Sequence, residues 1–452
     1  MFWISAAMFA ACAGKIPYND RKWIPIGLFL LSFLYLSTLS SQINFTGEGD
    51  LQFYFSNAVN MVNNSFSDSG HRLYCATFPG TVTCPAVLSV FMRVLGTSLA
   101  VPVLLNQLAV CTLVCASYAF LKRRMAVSLA AAGSLLPALH PSLIIYSDTC
   151  NAEIIFGALI LCAFFAFVKV AEAEKVETQL QWTVITALLC GISAFFRPVA
   201  ILLEAALILY VMLFSPLAPR RKFMIIAILI GIVMVCGMAN HILVKKITSY
   251  DPPSSAYGWN LYVGASPSGQ WNEADAEEFQ KILAEASSPS EIQQYFAKKG
   301  IERYEEMGTT VLAHSLYKLE PWLSDEYIAD ETAQDSGNTL FSLKNSTGTV
   351  LAVTALIDIP VFFLALTAMI YYLLCGITKQ CNILLVLVFY LLGSLLALML
   401  LEVAPRYTIS YRMVFCILDV CFLYELRGKY SKKACAPTQK IKTSYTPERS
   451  KP

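Results

Sequence analysis

The sequence has little charge and little histidine. Only 14% of its 452 residues are charged and four are histidine, whereas 56% are hydrophobic. The formal net charge is +2, which excludes the broad basic surface of a nucleic-acid-binding protein. Nucleic acid is therefore not an expected partner, and the excess of apolar residues is typical of a polytopic membrane protein.

The sequence also lacks the common metal-binding motifs. No histidine begins an HExxH pattern, and the fourteen cysteines include no pair of CxxC knuckles. Most cysteines stand singly in apolar runs, where cysteine acts as a small core residue. Cys75 and Cys84 instead share a polar loop that we place outside the cytoplasm. A disulfide between them is expected there, and two free thiols are the alternative.

Apolar runs long enough for membrane helices recur along the chain. A helix needs about 20 mostly apolar residues to cross the hydrocarbon layer, and sheets with open edges cannot cross it. The sequence therefore predicts an all-α bundle of about 10–11 transmembrane helices, the higher number counting a short opening run at 1–14. The other runs lie near 23–43, 99–121, 125–141, 150–170, 182–197, 198–214, 222–243, 348–375, 381–400 and 405–425.

If every apolar run crosses the membrane, the lysine and arginine residues of the short connecting segments all lie on one side of it. By the positive-inside rule that side is the cytoplasm. The predicted organisation is an N-terminal membrane segment at 1–43, a first outer loop with an acidic motif and juxtamembrane helices at 44–98, a transmembrane bundle at 99–243, a small extracytoplasmic cap at 244–347, C-terminal transmembrane helices at 348–425 and a basic cytoplasmic tail at 426–452.

The stretch TGEGDLQFYFSNAVNMVNN at 46–64 places two acids at the membrane edge. The apolar positions after Asp50 follow helical spacing, and serine and asparagine take the other face. This pattern predicts an amphipathic helix lying in the interface. Asp50 is a good N-cap for such a helix. A cap does not explain Glu48, so a catalytic role for the acidic pair stays open beside the capping role.

Charged and aromatic residues return in the other segments predicted to face outward. Any one of them is often solvated surface, and an arginine such as Arg197 can snorkel to lipid headgroups. Their recurrence in one compartment favours a shared site, because arginine pairs with phosphate through its planar fork and a carboxylate can accept a hydroxyl proton. The candidates are Asp148, Glu153, Arg197, Glu402, Arg406 and Tyr407.

The late outer segment at 244–347 is a small cap, too short for an independent enzyme domain. It carries four aromatic residues that could stack on sugar rings or sit in the interfacial aromatic belt. The belt is the favoured interpretation. The four residues are Tyr257, Trp259, Tyr262 and Trp271.

Six loose motifs follow one another along the chain, namely EGDLQFYFSNA, FPGTVTCPAVLSVFMRVLG, HPSLIIYSDTCNAE, GISAFFRPVAILL, GWNLYVGASPSGQWNEAD and LEVAPRYTISYR. Their order resembles that of the GT-C class of membrane glycosyltransferases. The resemblance runs from about 23 to 425 and is to bacterial members similar to protein mannosyltransferases and lipid A aminoarabinose transferases. The segment FPGTVTCPA lacks the lysine before paired prolines of the aminoarabinose transferases, which argues against that substrate.

The resemblance implies an enzyme that passes a sugar, with inversion, from a polyprenyl-phosphate donor to a glycan, lipid or protein acceptor. It would sit among the lipids of a bacterial cytoplasmic membrane, with its active site outside the cytoplasm. A transporter or flippase of lipid-linked saccharides is the alternative. Transporters usually place ionisable residues near mid-membrane, whereas these acids gather at one face. An accessory subunit would leave the acidic pair unexplained.

The resemblance also implies roles for individual residues. Asp50 matches the catalytic base of the first outer loop, and Glu48 completes an acid-x-acid motif. Glu153, or less readily Asp148, matches a second acidic position that in some relatives helps to bind a metal. Metal dependence varies within the family, so both a divalent metal ion and no cofactor stay open. Two arginines would meet the donor phosphate. The implied substrate-binding residues are Tyr54, Arg197, Glu402, Arg406 and Tyr407.

Overall fold

The chain is described by a computed structural model, and every regular element within its described residues is a helix. The all-α prediction is therefore confirmed. The opening run at 1–14 and the tail beyond 430 lie outside the described residues, so their predicted positions stay predictions. The described residues are 22–41, 49–66, 68–323, 347–378 and 382–430.

The helices are numbered here in chain order. The first half contains α1 (Ile24–Ser40), α2 (Gly49–Val62), α3 (Ser69–Thr77), α4 (Gly80–Leu95), α5 (Ala100–Leu121), α6 (Val127–Ser134), α7 (Leu136–Leu139), α8 (Pro141–Ser147), α9 (Glu153–Glu172) and α10 (Val176–Ser193). The second half contains α11 (Ile201–Leu213), α12 (Pro219–Thr248), α13 (Tyr257–Gly264), α14 (Glu273–Glu285), α15 (Pro289–Met307), α16 (Val311–Tyr317), α17 (Thr347–Thr378), α18 (Leu385–Leu400) and α19 (Ile409–Tyr430). Short 3-10 turns are Pro198–Ala200, Gly308–Thr310, Glu320–Trp322 and Pro405–Thr408.

The described part of the chain has 4 helices long and apolar enough to cross a membrane, namely α5, α9, α12 and the segment Thr354–Cys375 of α17. The bent pair α3 and α4 would raise the number to 5 if it formed one span. Helices α1 and α18 and the segment Pro198–Leu213 are apolar but shorter. The protein is thus an integral, multi-pass membrane protein. The predicted total of about 10–11 counted these shorter runs as full spans.

The apolar run at 125–141 is not one helix, contrary to the prediction from its composition. It forms α6 and α7, and α8 follows directly. Pro137 is tolerated in the first turn of α7, and His140 is extended because Pro141 disfavours helical conformation in the residue before it. The prolines therefore divide the run into short helices that lead to the start of α9.

Helix α9 lies at the centre of the bundle and packs against α5, α10 and α19. Its side chains Phe156, Phe164 and Phe167 are at most 1% exposed. Gly157 allows the close approach of α19, because a Cβ atom there would lie 3.0 Å from the Cα atom of Ser410. This packing fixes the N-terminus of α9 against the start of α19.

The cap and the first outer loop share one hydrophobic core. Leu73 of α3 is buried with Trp259, Phe279 and Phe296 of the cap helices α13, α14 and α15. Helices α3 and α4 are bent by 103° relative to each other, so α3 reaches the cap while α4 continues toward the bundle. Two segments distant in sequence therefore form one body.

Two of the four cap aromatics contribute to this core. Trp259 is 8% exposed and Tyr262 is 1% exposed, and the guanidinium carbon of Arg303 lies 3.5 Å from the centre of the Tyr262 ring. Tyr257 and Trp271 are 53% and 58% exposed. The expectation of an interfacial aromatic belt is therefore wrong for Trp259 and Tyr262, whose burial in the cap serves folding.

Cys75 and Cys84 are both free thiols, so the predicted disulfide is wrong. The sulfur atom of Cys75 on α3 lies 3.7 Å from Nε2 of His71. Cys84 lies on α4, where it is fully buried near Cys150 and Glu153. The bend between α3 and α4 sends the two thiols into different surroundings, although they are close in sequence.

Helix α12 connects the bundle to the first outer loop. It has 30 residues and packs against α10, α4 and α3. Only 11% of the residues in its most apolar stretch are buried inside the protein. Side chains such as Phe223 and Met234 are exposed, as expected for a surface in lipid. Near its C-terminus, Val244 is buried beside Cys75 and Val82. One end of α12 is therefore bound into the loop that carries α3.

Candidate active site

Glu153 is the first residue of α9, and its side chain is held in a fixed position. The N-terminus of a helix favours a negative charge. Oε2 of Glu153 accepts a hydrogen bond from the backbone N–H of Ala152 at 3.0 Å. The side chain of Asn151 accepts from the backbone N–H of Ile154 at 3.1 Å, which secures the first turn of the helix. The other carboxylate oxygen of Glu153 remains for partners from other elements.

Arg197 is presented by a turn that a proline directs. Helix α10 ends at Ser193, and Arg197 is extended (φ −147°, ψ 126°) because Pro198 disfavours helical conformation at the preceding residue. The hydroxyl of Thr83 donates to the backbone oxygen of Phe195 at 2.5 Å, which ties this turn to α4. The turn directs the guanidinium group toward the start of α9.

A second proline places Arg406 and Tyr407. Ala404 is extended (φ −136°, ψ 146°), and Pro405 then begins the short 3-10 turn that leads into α19. Proline is suited to the first position of such a turn because its φ angle is already fixed. The segment between α18 and α19 therefore carries a cation and an aromatic ring in a defined conformation.

These turns bring four of the predicted site residues into one cluster. Nη2 of Arg197 forms an ion pair with Oε1 of Glu153, and Nε of Arg406 lies 4.0 Å from the same oxygen. The ring of Tyr407 lies beside both arginines, with its centre 5.2 Å from each guanidinium carbon. Its hydroxyl lies 3.5 Å from Nη2 of Arg406 and 3.3 Å from Oε2 of Glu402, which joins a fifth residue.

The cluster is sheltered but open to solvent on the side of its arginines. The side chains of Arg197 and Arg406 are 18% and 17% exposed, whereas that of Glu153 is 2% exposed. The two guanidinium groups share Oε1 of Glu153, while the carboxylate of Glu402 lies farther off, beside the hydroxyl of Tyr407. Burial raises the pKa of Tyr407 to about 12, so its hydroxyl stays protonated near neutral pH. Two fixed cations of this kind can bind a phosphate through charge-assisted hydrogen bonds.

Tyr54 approaches the cluster from α2. It is 5% exposed and lies near enough to Arg197 to interact with its charge. Asp50 lies in the first turn of the same helix, four residues earlier, which is about 6 Å along the helix axis. The side chain of Asp50 and all of Glu48 lie outside what the structure describes, so their catalytic roles stay predictions.

Asp148 contacts a different part of the protein. The hydroxyl of Ser40 on α1 donates to Oδ1 of Asp148, which is 5% exposed. Burial raises the pKa of Asp148 to about 7, and the hydrogen bond from Ser40 opposes that shift. The described contacts of Asp148 therefore tie α8 to α1 rather than to the arginines.

The described side chains alone do not fit a metal ion. Among the residues that the structure describes, no group of three His, Cys, Asp or Glu side chains could hold one. Glu153 is already engaged by two guanidinium groups, which repel a cation. The acidic side chains at positions 48 and 50 lie outside the described part, so a divalent ion stays a prediction. No chemical step is assigned to it below.

Three residues whose side chains fix neighbouring elements were not singled out from the sequence, namely Ser40, Asn151 and Lys318. Asn151 had a local signal, because asparagine just before an apolar run is a common helix cap. Ser40 and Lys318 had none. Their partners come from distant segments, and a single polar residue gives no periodic pattern that predicts such a contact.

The helical arrangement is one already known in membrane glycosyltransferases. No protein-family model matches the chain, and no curated protein matches it. Among solved structures, archaeal oligosaccharyltransferase AglB from Archaeoglobus fulgidus, in complex with an inhibitory peptide and a dolichol-phosphate, matches with a TM-score of 0.52 at 12% identity. The chain therefore has the GT-C fold, as its order of motifs predicted.

Two further structures of the Archaeoglobus fulgidus oligosaccharyltransferase match in the same way. The apo form matches with a TM-score of 0.51 at 12% identity. A form tethered to an acceptor peptide containing the NVT sequon matches with a TM-score of 0.50 at 11% identity. Each match covers 91% of this chain but only 51% to 52% of the oligosaccharyltransferase, so the chain spans about half of that protein's length. At this identity the likeness establishes the fold and not the reaction.

Proposed function

We propose that the protein is a membrane glycosyltransferase. It transfers a sugar, with inversion, from a polyprenyl-phosphate donor to a hydroxyl of a glycan, lipid or protein acceptor. The observation that carries the proposal is the pair Arg197 and Arg406 beside Glu153, the first in an ion pair with its carboxylate and the second 4.0 Å from the same oxygen, in a bundle with the GT-C fold. The oligosaccharyltransferase with the same fold was solved with a dolichol-phosphate, a lipid phosphate without a sugar that resembles the carrier part of the proposed donor.

The two arginines suit the phosphate of the donor. Only Nη2 of Arg197 contacts Glu153, so other N–H groups of this guanidinium can face a phosphate. Contact with Glu153 and with the Tyr407 ring limits side-chain motion before the donor binds. Such fixed donors stabilise charge as it develops. In the proposed reaction the bond between the anomeric carbon and the phosphate oxygen breaks, and the departing phosphate keeps its electrons beside the arginines.

The acceptor requires a base. As its hydroxyl oxygen bonds to the anomeric carbon, the proton must pass to a nearby group, and a positioned carboxylate typically accelerates such a step by ~10²–10⁴-fold. We assign this role to Asp50, with Glu48 beside it in the acid-x-acid motif. Support comes from Tyr54, which lies one turn after Asp50 and near Arg197. A polyprenyl tail keeps its phosphate at the membrane interface, where an amphipathic helix such as α2 can reach it.

The decisive experiment replaces Asp50 with Asn and measures transfer from a synthetic polyprenyl-phosphate sugar. Asparagine caps a helix as well as aspartate does, so the fold should keep its thermal stability. Loss of the base should lower transfer by at least about a hundredfold. Asp68→Asn is the matched control, because Asp68 caps α3 by accepting from the backbone N–H of His71 at 2.8 Å. It should transfer at the wild-type rate.

The same assay separates the competing functions. A stable Asp50→Asn protein with more than half of the wild-type rate would exclude Asp50 as the base. A flippase would move the lipid-linked saccharide without releasing free polyprenyl phosphate, so failure of the wild-type protein to release it would exclude a transferase.

The proposed site opens on the extracytoplasmic side of a bacterial cytoplasmic membrane. The distribution of lysine and arginine along the sequence supports this orientation. In sealed right-side-out vesicles loaded with donor lipid, an acceptor that cannot cross the membrane should receive sugar. Transfer seen only in inverted vesicles would contradict the orientation.

A further inference from the structure

Lys318 is a buried cation between the cap and the bundle. It follows the last residue of α16 and is 1% exposed. Its Nζ atom donates to the backbone oxygens of Gly264 at 3.0 Å and Met399 at 3.2 Å, and it lies 3.3 Å from the hydroxyl of Tyr304. An ammonium group has three N–H donors, so these contacts account for all of them. The group therefore acts within the protein rather than on a ligand.

The backbone oxygen of Gly264 gathers further contacts. The hydroxyl of Tyr304 and Nε2 of His314 each lie 2.9 Å from it. A Cβ atom at position 264 would lie 2.5 Å from the carbonyl carbon of Leu401 and 2.8 Å from the backbone nitrogen of Glu402. Only glycine permits this approach without a shift of backbone. The end of α13 is therefore docked directly on the chain after α18.

The segment that follows α18, residues 401–404, is docked on the cap and leads into the candidate active site. The backbone N–H of Glu402 donates to the oxygen of Asn260 at 2.6 Å, and that of Val403 donates to the oxygen of Gly269 at 2.9 Å. Both acceptors belong to the cap. The next turn of the chain carries Arg406. The cap therefore holds the segment immediately before this arginine.

We propose that Lys318 is a positioning residue for the sugar transfer. By tying the end of α13 and the end of α18 together, it sets where Arg406 and Tyr407 stand relative to the donor phosphate. This inference rests on the proposed function, which assigns those two residues to the donor. According to this proposal, the cap determines the geometry of the donor-binding site through Lys318, although the cap and the bundle have separate hydrophobic cores.

The contacts of the Lys318 ammonium group with Gly264, Met399 and Tyr304 are called the clamp below. The clamp depends on the proton of Lys318 and is therefore sensitive to pH. Burial lowers the pKa of Lys318 to about 8, and attraction from Glu402 opposes the shift. The other titratable groups that face the clamp are Tyr304, whose pKa burial raises to about 12, and His314. Above pH 8 the neutral amine has fewer N–H donors and no charge to attract Glu402. Transfer should therefore decrease as the pH rises through this value.

The same proton has the opposite effect on folding. Between pH 8 and the ordinary lysine pKa of 10.5, the unfolded chain keeps a proton that the folded chain has released. Rising pH therefore stabilises the fold through this residue. If Lys318 had only a structural role, transfer would not fall between pH 8 and 10.5. If it positions the site, transfer falls in this range.

The first test uses hydrogen exchange on the full chain and does not depend on activity. Lys318→Met should raise amide exchange in residues 400–404 by roughly tenfold, because buried carbonyl partners lose their donors. Arg303→Met is the matched control, since Arg303 is a cap cation that pairs with Asp275 and the backbone of Tyr262 inside the cap. It should leave exchange in 400–404 unchanged. Unchanged exchange in Lys318→Met would overturn the proposal.

The second test is the pH profile of transfer. The wild-type rate should fall roughly tenfold between about pH 7 and 9, as one charged contact is lost. Lys318→Arg should keep its rate over the same range because the guanidinium stays charged. His314→Gln controls for the other titratable group and should retain the wild-type loss. A loss in Lys318→Arg equal to that of the wild type would refute the proposal. Absence of transfer at every pH would refute the proposed function. The exchange test would still show whether Lys318 holds residues 400–404 in place.

Discussion

Two arginine–carboxylate groups in this protein use the same chemistry but differ in their access to solvent. At the candidate active site, Glu153 faces Arg197 and Arg406, whose side chains are 18% and 17% exposed. Elsewhere in the bundle, Asp358 of α17 lies 3.1 Å from Arg412 of α19, and both side chains are at most 2% exposed. The first group can meet a ligand, and the second cannot.

The buried group has a third member. Nε2 of His140 lies 3.0 Å from Oδ1 of Asp358, with side-chain exposures of 2% and 1%. Together these side chains join the junction of α7 and α8 to α17 and α19. Because their charges are sealed from solvent and ligands, their effect is on how the helices pack.

The difference follows from where the chain places each arginine. Arg197 and Arg406 stand beside Pro198 and Pro405, which begin short turns at the ends of membrane helices. Arg412 lies within the first turns of α19 and is covered on every side by the bundle. Partial exposure of a fixed arginine therefore separates a candidate binding group from a structural one better than the presence of an ion pair does.

The largest effect is expected from Arg412→Met. It leaves the Asp358 carboxylate buried without its cation, and breaking a buried pair in this way costs about 3–5 kcal/mol. The free energy of unfolding in detergent should fall by that amount, with loss of folded protein at growth temperature. An unchanged unfolding transition would show that the buried group does not hold the helices.

A smaller effect, on activity rather than folding, is expected from Arg197→Lys. Lysine keeps the charge but loses the planar fork that matches phosphate. Transfer should fall by about 10–100-fold, the equivalent of one charge-assisted hydrogen bond, with a higher KM for the donor. Arg93→Lys is the control, since Arg93 donates to the backbone oxygen of Met61 at 3.0 Å away from the cluster. Equal losses in both variants would contradict a specific role for Arg197.

The smallest effect is expected from Arg123→Gln. Arg123 pairs with Glu172 where the two side chains are 39% and 47% exposed. Exposed ion pairs contribute about 0–1 kcal/mol, so unfolding and transfer should both stay close to wild type. A loss comparable to that of Arg412→Met would break the proposed relation between exposure and role.

The main helices were predictable because the membrane demands long apolar runs. Helices α5, α9 and α12 each overlap a predicted run. The turns at the site were partly predictable too, since proline fixes its own φ angle and restricts the residue before it. Arg197 and Arg406 were chosen from the sequence for a different reason, the recurrence of charged residues in the segments predicted to face outward.

The remaining contacts depend on packing between distant segments. His140, Asp358 and Arg412 meet only because the junction of α7 and α8 packs against two helices distant in sequence, and none of them has a periodic or spacing signal. Lys318 was missed for the same reason. Cys75 and Cys84 show the converse, because their shared outer loop predicted a disulfide, whereas both are free thiols on helices bent by 103° relative to each other.

The length of α12 sets the height of the first outer loop above the lipid. Its 30 residues span about 45 Å, whereas the hydrocarbon layer is about 30 Å thick, so about 15 Å in total extends beyond the two faces of the layer. The far end of the helix is bound to α3. The phosphate of the proposed donor instead follows the headgroup plane, which moves with acyl-chain length. The proposed transfer should therefore be fastest at one bilayer thickness, because thicker or thinner membranes would shift that phosphate away from the arginines.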